Sequence, residues 1–205
     1  MSTLFRRFLL LSGVALMGAA SSMALAQETV RVRGTVDGFA GSAYTVKTRS
    51  GDTVTVTLAE KPMFVAIVKA SMADIKPGMF VGATAMPEPD GTLKAVEVHI
   101  FPEAMRGTGE GHRPWDLAPK ATMTNANVET AVAGASSRTL TLKYKDGEKT
   151  LQVTPETVVV TYAPGDAAEV KPGTGIFIPA AEKQPDGSLR TPRITYGRDG
   201  LTPPM

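Results

Sequence analysis

After its first 26 residues the chain says the same thing twice, and no other feature limits its possible folds as strongly. Asp74-Ile75-Lys76-Pro77-Gly78 returns as Glu169-Val170-Lys171-Pro172-Gly173, 95 residues on, and Pro89-Asp90-Gly91 returns as Pro185-Asp186-Gly187, 96 on. Gly51 matches Gly147, and Val32, Val36 and Gly38 match Val128, Val132 and Gly134, again at 96. A constant offset across separate landmarks means two copies of one module rather than one large domain.

Each copy reads as strands. Val30, Val32 and Val36 alternate with Arg31, Arg33 and Asp37, the period of a half-buried strand. Tyr44, Val46 and Thr48 continue the pattern, Ser50-Gly51-Asp52 turns, and Val54, Val56 and Leu58 run back. The second copy repeats this with Leu140, Leu142 and Tyr144, Asp146-Gly147, then Leu151 and Val153. Its phase slips by one residue after the turn, so one copy holds a bulge or a longer loop there. An apolar run follows in each copy, residues 63–68 and 158–162, and then Lys-Pro-Gly, whose fixed proline φ and permissive glycine make a tight entry into the next strand. A last strand closes each copy, with Val96, Val98 and Ile100 facing inward and Ile194 and Tyr196 where Val98 and Ile100 would be.

Five to six short strands in about 75 residues suit a small closed or partly open barrel. The expected fold is therefore all-β, two tandem OB-like barrels joined by an ordered linker. Residues 1–26 form a signal peptide, 27–101 the first barrel, 102–124 the linker, and 125–205 the second barrel with a C-terminal tail. One open sandwich built jointly by the copies is the rival arrangement. In element order and export signal the chain resembles a bacterial family of exported small-barrel domains of unknown function, often found in tandem. The resemblance covers residues 29–101 and 125–197, rests on glycines, turns and strand rhythm, and brings no catalytic residues with it.

The export signal consists of Arg6-Arg7, an apolar run from Phe8 to Ala20, and Ala24-Leu25-Ala26 as the cleavage motif, leaving Gln27 at the mature N-terminus. Arg6-Arg7 before Phe8-Leu9-Leu10 also partly resembles a twin-arginine signal. The apolar run falls short of the roughly 20 residues of a membrane span, so the mature chain is expected in the periplasm or outside the cell, without membrane insertion. With no cysteine, disulfides and thiolate metal sites are ruled out. Setting aside Arg6 and Arg7, 20 basic residues balance 20 acidic ones, spread evenly along the chain. Without a net positive field there is nothing to draw a phosphate backbone, so nucleic acid is not an expected partner.

One stretch is not repeated. Residues 101–116 hold the only tryptophan, Trp115, and one of two histidines, His112; the other, His99, lies just upstream. A connection this long inside a compact protein is either functional or disordered, and this mixture is unlike a Gly/Ser tether. Two readings of it stand beside simple packing, in which Pro114 and Trp115 pack the linker and Arg106 and Arg113 pair with Glu103, Glu110 or Asp116. In one, Arg106, Glu110, Arg113, Trp115 and Asp116 form a surface for a small ligand or a protein partner. In the other, His99, Glu103, Met105, Glu110 and His112 hold copper, zinc or nickel through imidazole, carboxylate and thioether donors. Their spacing matches no strict metal template. His99 alternates with Val98 and Ile100, has Thr195 at its equivalent, and reads as an ordinary surface histidine. Met63, Met72, Met79 and Met86 read as core filler. The run Gly107 to Gly111 lacks the G-K-[ST] ending of a phosphate loop, and no nucleophile elbow is present. The expected function is non-enzymatic: an exported binding or scaffolding protein of unknown ligand, with periplasmic metal handling as the alternative.

Overall fold

The structure is a computed structural model in which residues 28–133 and 138–205 are described. The proposed signal peptide, its cleavage point and Gly134 lie outside the described residues.

Twelve strands form one continuous hydrogen-bonded sheet: β1 (Thr29–Ala40), β2 (Ala43–Thr48), β3 (Thr53–Lys69), β4 (Phe80–Pro87), β5 (Leu93–Ile100), β6 (Gly111–Pro114), β7 (Thr122–Ala133), β8 (Arg138–Tyr144), β9 (Gly147–Gln152), β10 (Val158–Pro164), β11 (Gly175–Lys183) and β12 (Leu189–Gly197). Among the described residues the only helical pieces are three single 3-10 turns, Met72–Asp74, Glu103–Met105 and Ala167–Glu169. The alternation read from the sequence places Val32, Val36, Tyr44, Val46 and Val56 inside, and the two Lys-Pro-Gly turns carry positive φ at Gly78 and Gly173.

The strands do not close within each repeat. β1, β2 and β3 of the first repeat close a five-stranded barrel with β11 and β12 of the second, through the pairs β1–β11, β11–β12 and β12–β3. The seven other strands include the run β5–β4–β7–β8–β9, in which β4 and β5 of the first repeat join β7, β8 and β9 of the second, and β9 meets β5 again through Leu93↔Leu151 and Lys94↔Gln152. Two main apolar cores follow this exchange. One joins Val32, Val46 and Val56 to Ile176, Ile178 and Ile194; the other joins Val81, Ala83 and Val98 to Val128, Leu140 and Leu151. The division of the sequence at residues 101 and 125 is therefore not how the strands pair. The 17-residue β3 carries the chain away from β1 and β2 before β4 begins, and its counterparts β9 and β10 do the same before β11.

β3 and β10 meet in an antiparallel pair centred on Ile67↔Tyr162, with Ala66↔Ala163 and Val68↔Thr161 on either side. Those residues are repeat equivalents, so a pseudo-twofold axis passes through the central pair. The flanking parallel pairs obey it: Phe64↔Ile194, Val65↔Thr195 and Ala66↔Tyr196 on one side, Val159↔Val98, Val160↔His99 and Thr161↔Ile100 on the other.

Three expectations need correction. The offset of 96 fails in the first strand of each repeat: Gly78 N and Gly173 N donate to Val128 O and Val36 O, each at 2.8 Å, so Val36 corresponds to Val128. The β7–β8 connection is longer than the β1–β2 connection, which hides this from a fixed-offset comparison. Val96 is exposed rather than inward, because the register shift between Thr84↔Glu97 and Ala85↔Ala95 makes it the extra residue of a bulge. Met63, at the surface, fills no core. The one-residue slip after the first turn is real: Lys47 pairs with Thr53, whereas its counterpart Lys143 pairs with Glu148, one residue nearer.

Candidate functional site

A third, smaller cluster lies where the two cores face each other. Ile67, Met123, Val160, Phe177 and Met205 are buried in it, with Trp115, Tyr162 and Leu201 packed against them. Beside them is a cavity of about 130 Å³, walled by both repeats and by the unrepeated linker, which contributes Met105, Arg113 and Trp115. Aromatic rings dominate: Phe101 stacks on Tyr162 at 5.5 Å, and the His99 imidazole meets Phe101 edge-on at 4.7 Å and Tyr162 at 5.9 Å.

A row of polar groups runs across β5, β4 and β7 into this space. Glu97 is completely buried and accepts from Thr84 Oγ1 at 2.7 Å. His99, 3% exposed, places Nδ1 3.1 Å from Glu97 Oε2. The Nδ1–H donates to that carboxylate, which leaves Nε2 as the free nitrogen. Gly82 pairs with His99 across the ladder, and the ring lies over it: a Cβ on Gly82 would come within 2.1 Å of Nε2 and 2.7 Å of Asn125 Oδ1. Nε2 and Oδ1 thus converge over one bare backbone position. The Asn125 amide donates through Nδ2 to Thr108 O, but its Oδ1 is buried without a partner among the described residues, as is Trp115 Nε1. Buried polar atoms left unpaired are uncommon and costly. Burial, followed by the nearby Glu97 carboxylate, pushes the Tyr162 phenol up, with Arg193 opposing.

His99 is therefore not a surface histidine. It does point off the inner face of its sheet, but the facing half of the molecule covers it. His112 goes elsewhere. On β6 it lies opposite Thr124 and hydrogen-bonds Thr124 Oγ1 at 2.8 Å, on the other face of β7 from Asn125. Its pKa is lowered by burial and then by Lys149 and Arg113. Glu103 is engaged by Arg106, through Nη2 to Oε2 at 2.7 Å; Arg106 also reaches Asn127 Oδ1 and Gly78 O. Glu110 Oε1 accepts from the Lys145 backbone at 3.0 Å. Only His99 and Met105 of the five metal candidates line the cavity. Among the described residues no three His, Cys, Asp or Glu side chains are grouped to hold an ion. The set His99, Glu103, Met105, Glu110 and His112 does not assemble, because Glu103 is held by Arg106, Glu110 by the Lys145 backbone and His112 by Thr124, away from His99.

The other candidates gather around Trp115, which is half-buried. Arg31 lies 4.2 Å from its ring centroid, Arg113 5.5 Å and Arg33 5.6 Å. Asp116 binds Arg31 at 3.1 Å and Arg33 at 2.8 Å. Burial alone would raise the Asp116 carboxyl, but the bonds and charges of Arg33 and then Arg31 bring it below its ordinary value. Arg113 donates to Gly109 O at 2.7 Å, and its pKa is lowered by burial and by Arg31. The linker is an ordered wall of the cavity, tied down by Arg106, Glu110 and Arg113.

Sequence reasoning missed Glu97, Asn125, Tyr162, Phe177 and Arg193. A signal for part of this was present, since Glu97 and Arg193 stand at equivalent positions in strands whose apolar residues otherwise agree.

No family model matches the chain. No curated protein and no solved structure matches it either.

Proposed function

We propose that this is an exported, non-enzymatic binding protein whose ligand occupies the cavity between the two halves. On this reading the halves are two OB-like barrels of one plan that trade their last two strands, and the linker seals the seam between them. One observation carries the proposal: Asn125 Oδ1 and Trp115 Nε1, two buried and unpartnered polar atoms, belong to residues lining the same ring-walled space. A bound molecule would satisfy both, and the energy otherwise lost by leaving them unpaired would go into affinity. His99 does not argue for catalysis, because its free Nε2 faces Gly82 and an amide oxygen rather than a nucleophile.

The test is thermal melting of the mature protein against small apolar and polar ring compounds. A ligand that binds only the folded state must raise the melting temperature with concentration. A melting temperature unmoved by every compound, benzene included, would rule the cavity out as a site.

A second reading has its own observation. Met105, Met123 and Met205 line the same cavity as His99, and thioether with imidazole is a donor set suited to Cu(I). Titration with Cu(I) under reducing conditions separates the two: stoichiometric uptake lost in His99→Thr would favour metal handling.

A further inference from the structure

Within that binding reading, we propose that the occupant is a small ring-bearing organic anion that also offers a hydrogen-bond donor, of the size and kind of a hydroxylated aromatic carboxylate. Size comes first. An apolar cavity of about 150 Å³ admits benzene, so 130 Å³ holds one ring and little more. The walls match a ring, with Phe101 and Tyr162 stacked and Trp115 and Phe177 also lining the space.

Charge comes next. Two guanidinium groups, Arg113 and Arg193, line the cavity. The nearby carboxylates are already engaged, Glu97 by His99 and Thr84 and Asp116 by Arg31 and Arg33. Arg113 has only the Gly109 carbonyl as hydrogen-bond partner, and the Arg193 side chain has none among the described residues. Around Trp115, Arg31 and Arg33 hold the Asp116 carboxylate and Arg33 also donates through Nε to Met205 O at 2.8 Å, while Arg113 has no carboxylate partner among the described residues. Burial first, and then the neighbouring Arg31, lower the Arg113 pKa. An incoming carboxylate would supply that charge in a fork geometry that guanidinium favours.

The uncharged groups select the rest. Trp115 Nε1–H lacks an acceptor, which an oxygen of the ligand provides. Asn125 Oδ1 lacks a donor and sits beside His99 Nε2, whose proton-bearing partner Nδ1 is turned to Glu97. A hydroxyl on the ring would donate there.

The experiment is calorimetric titration of the full mature chain with 4-hydroxybenzoate, benzoate and the neutral 4-hydroxybenzamide, repeated on Arg193→Met and Asn125→Leu. Hydrogen bonds to charged groups are worth enough that the neutral amide should bind roughly tenfold or more weakly than the acid. Arg193→Met should erase that difference, and Asn125→Leu should erase the preference of 4-hydroxybenzoate over benzoate. Arg193→Met removes a partly exposed side chain with no hydrogen-bond partner among the described residues, so it tests the charge reading even if Asn125→Leu fails to fold. Equal binding of acid and amide would overturn the anion while leaving the cavity as a site. If none of the three binds but benzene does, the ligand is apolar and this inference fails alone; if benzene also fails to bind, the binding reading fails with it.

Discussion

Two faces related by the pseudo-twofold meet at the cavity, and they have diverged in a way their cores have not. Read across the strands, one face runs Asn125, Gly82, His99, Val160 and the other Arg33, Phe177, Thr195, Val65. Two residues before His99 and Thr195, Glu97 answers to Arg193. Behind these faces apolar answers to apolar, Val81 to Ile176, Ala83 to Ile178 and Val98 to Ile194, all fully or nearly fully buried. Packing alone would let both faces stay alike. Instead one carries a buried carboxylate–imidazole pair over a glycine, and the other fills the glycine's place with a phenyl ring beneath Arg33, 5.2 Å away. Such asymmetry at the seam, over matched apolar packing beneath, is more than packing alone requires.

The strongest way to break the comparison is to copy one face onto the other. His99→Thr leaves Glu97 buried with Thr84 as its sole side-chain partner, and orphaning a buried charge costs about 3–5 kcal/mol. Urea unfolding at pH 7 measures it; a loss below 1 kcal/mol would mean that the Glu97–His99 pair adds nothing to the first face. Trp115→Ala removes the linker's packing against the seam and should cost about 2–4 kcal/mol, the lower part of the range reflecting its half-burial. The folded wild type should also emit to the blue of free tryptophan. Gly82→Ala should cost about 1–3 kcal/mol, because the new methyl meets His99 Nε2 and Asn125 Oδ1. Combined with His99→Thr the cost should fall short of the sum of the two, since one obstacle is gone; strict additivity would show that the ring does not lie over Gly82.

The smallest effect concerns β6, which pairs only with β7. Burial and neighbouring cations hold the His112 pKa below its ordinary value. The unfolded chain therefore takes up a proton near pH 6.5 before the folded chain does. Stability should fall as pH drops from about 6.5 toward the folded value and level off below it. His112→Gln should flatten that slope in melts from pH 7.5 to 5; an unchanged slope would assign it to another group.

Much of the fold was legible because it depends on local chemistry. Period-2 valines, Asp-Gly and Lys-Pro-Gly turns, and a linker too rich in Trp, His and Arg to be a tether all point to what is found. The exchange of strands was not legible. Closing a barrel within a repeat or between repeats buries the same side chains, so periodicity cannot choose. His99 was misjudged for a related reason. Its alternation correctly placed it off the inner face, but only the facing half shows that this outer face is covered. Thr195 at the equivalent position spoke against a role in the barrel, yet the substitution is better taken as a sign that the two faces have separate duties. Asn125 and Tyr162 carried no local signal, since an amide or a phenol in a strand becomes informative only once its neighbours in space are known.

The pairing of β1 with β11 has a consequence for how the chain comes into being. Thr29 and Glu182 are neighbours in the barrel, yet one is near the start of the described chain and the other is made more than 150 residues later. The first barrel cannot close when its own repeat has been synthesised; it waits with bare strand edges until almost the last hairpin arrives. Contacts so distant in sequence make for slow folding, and exposed edges during the wait invite pairing with other chains. A polypeptide built this way holds its earliest strands open the longest, although β4, β5, β7, β8 and β9 can come together once Gln152 has been made.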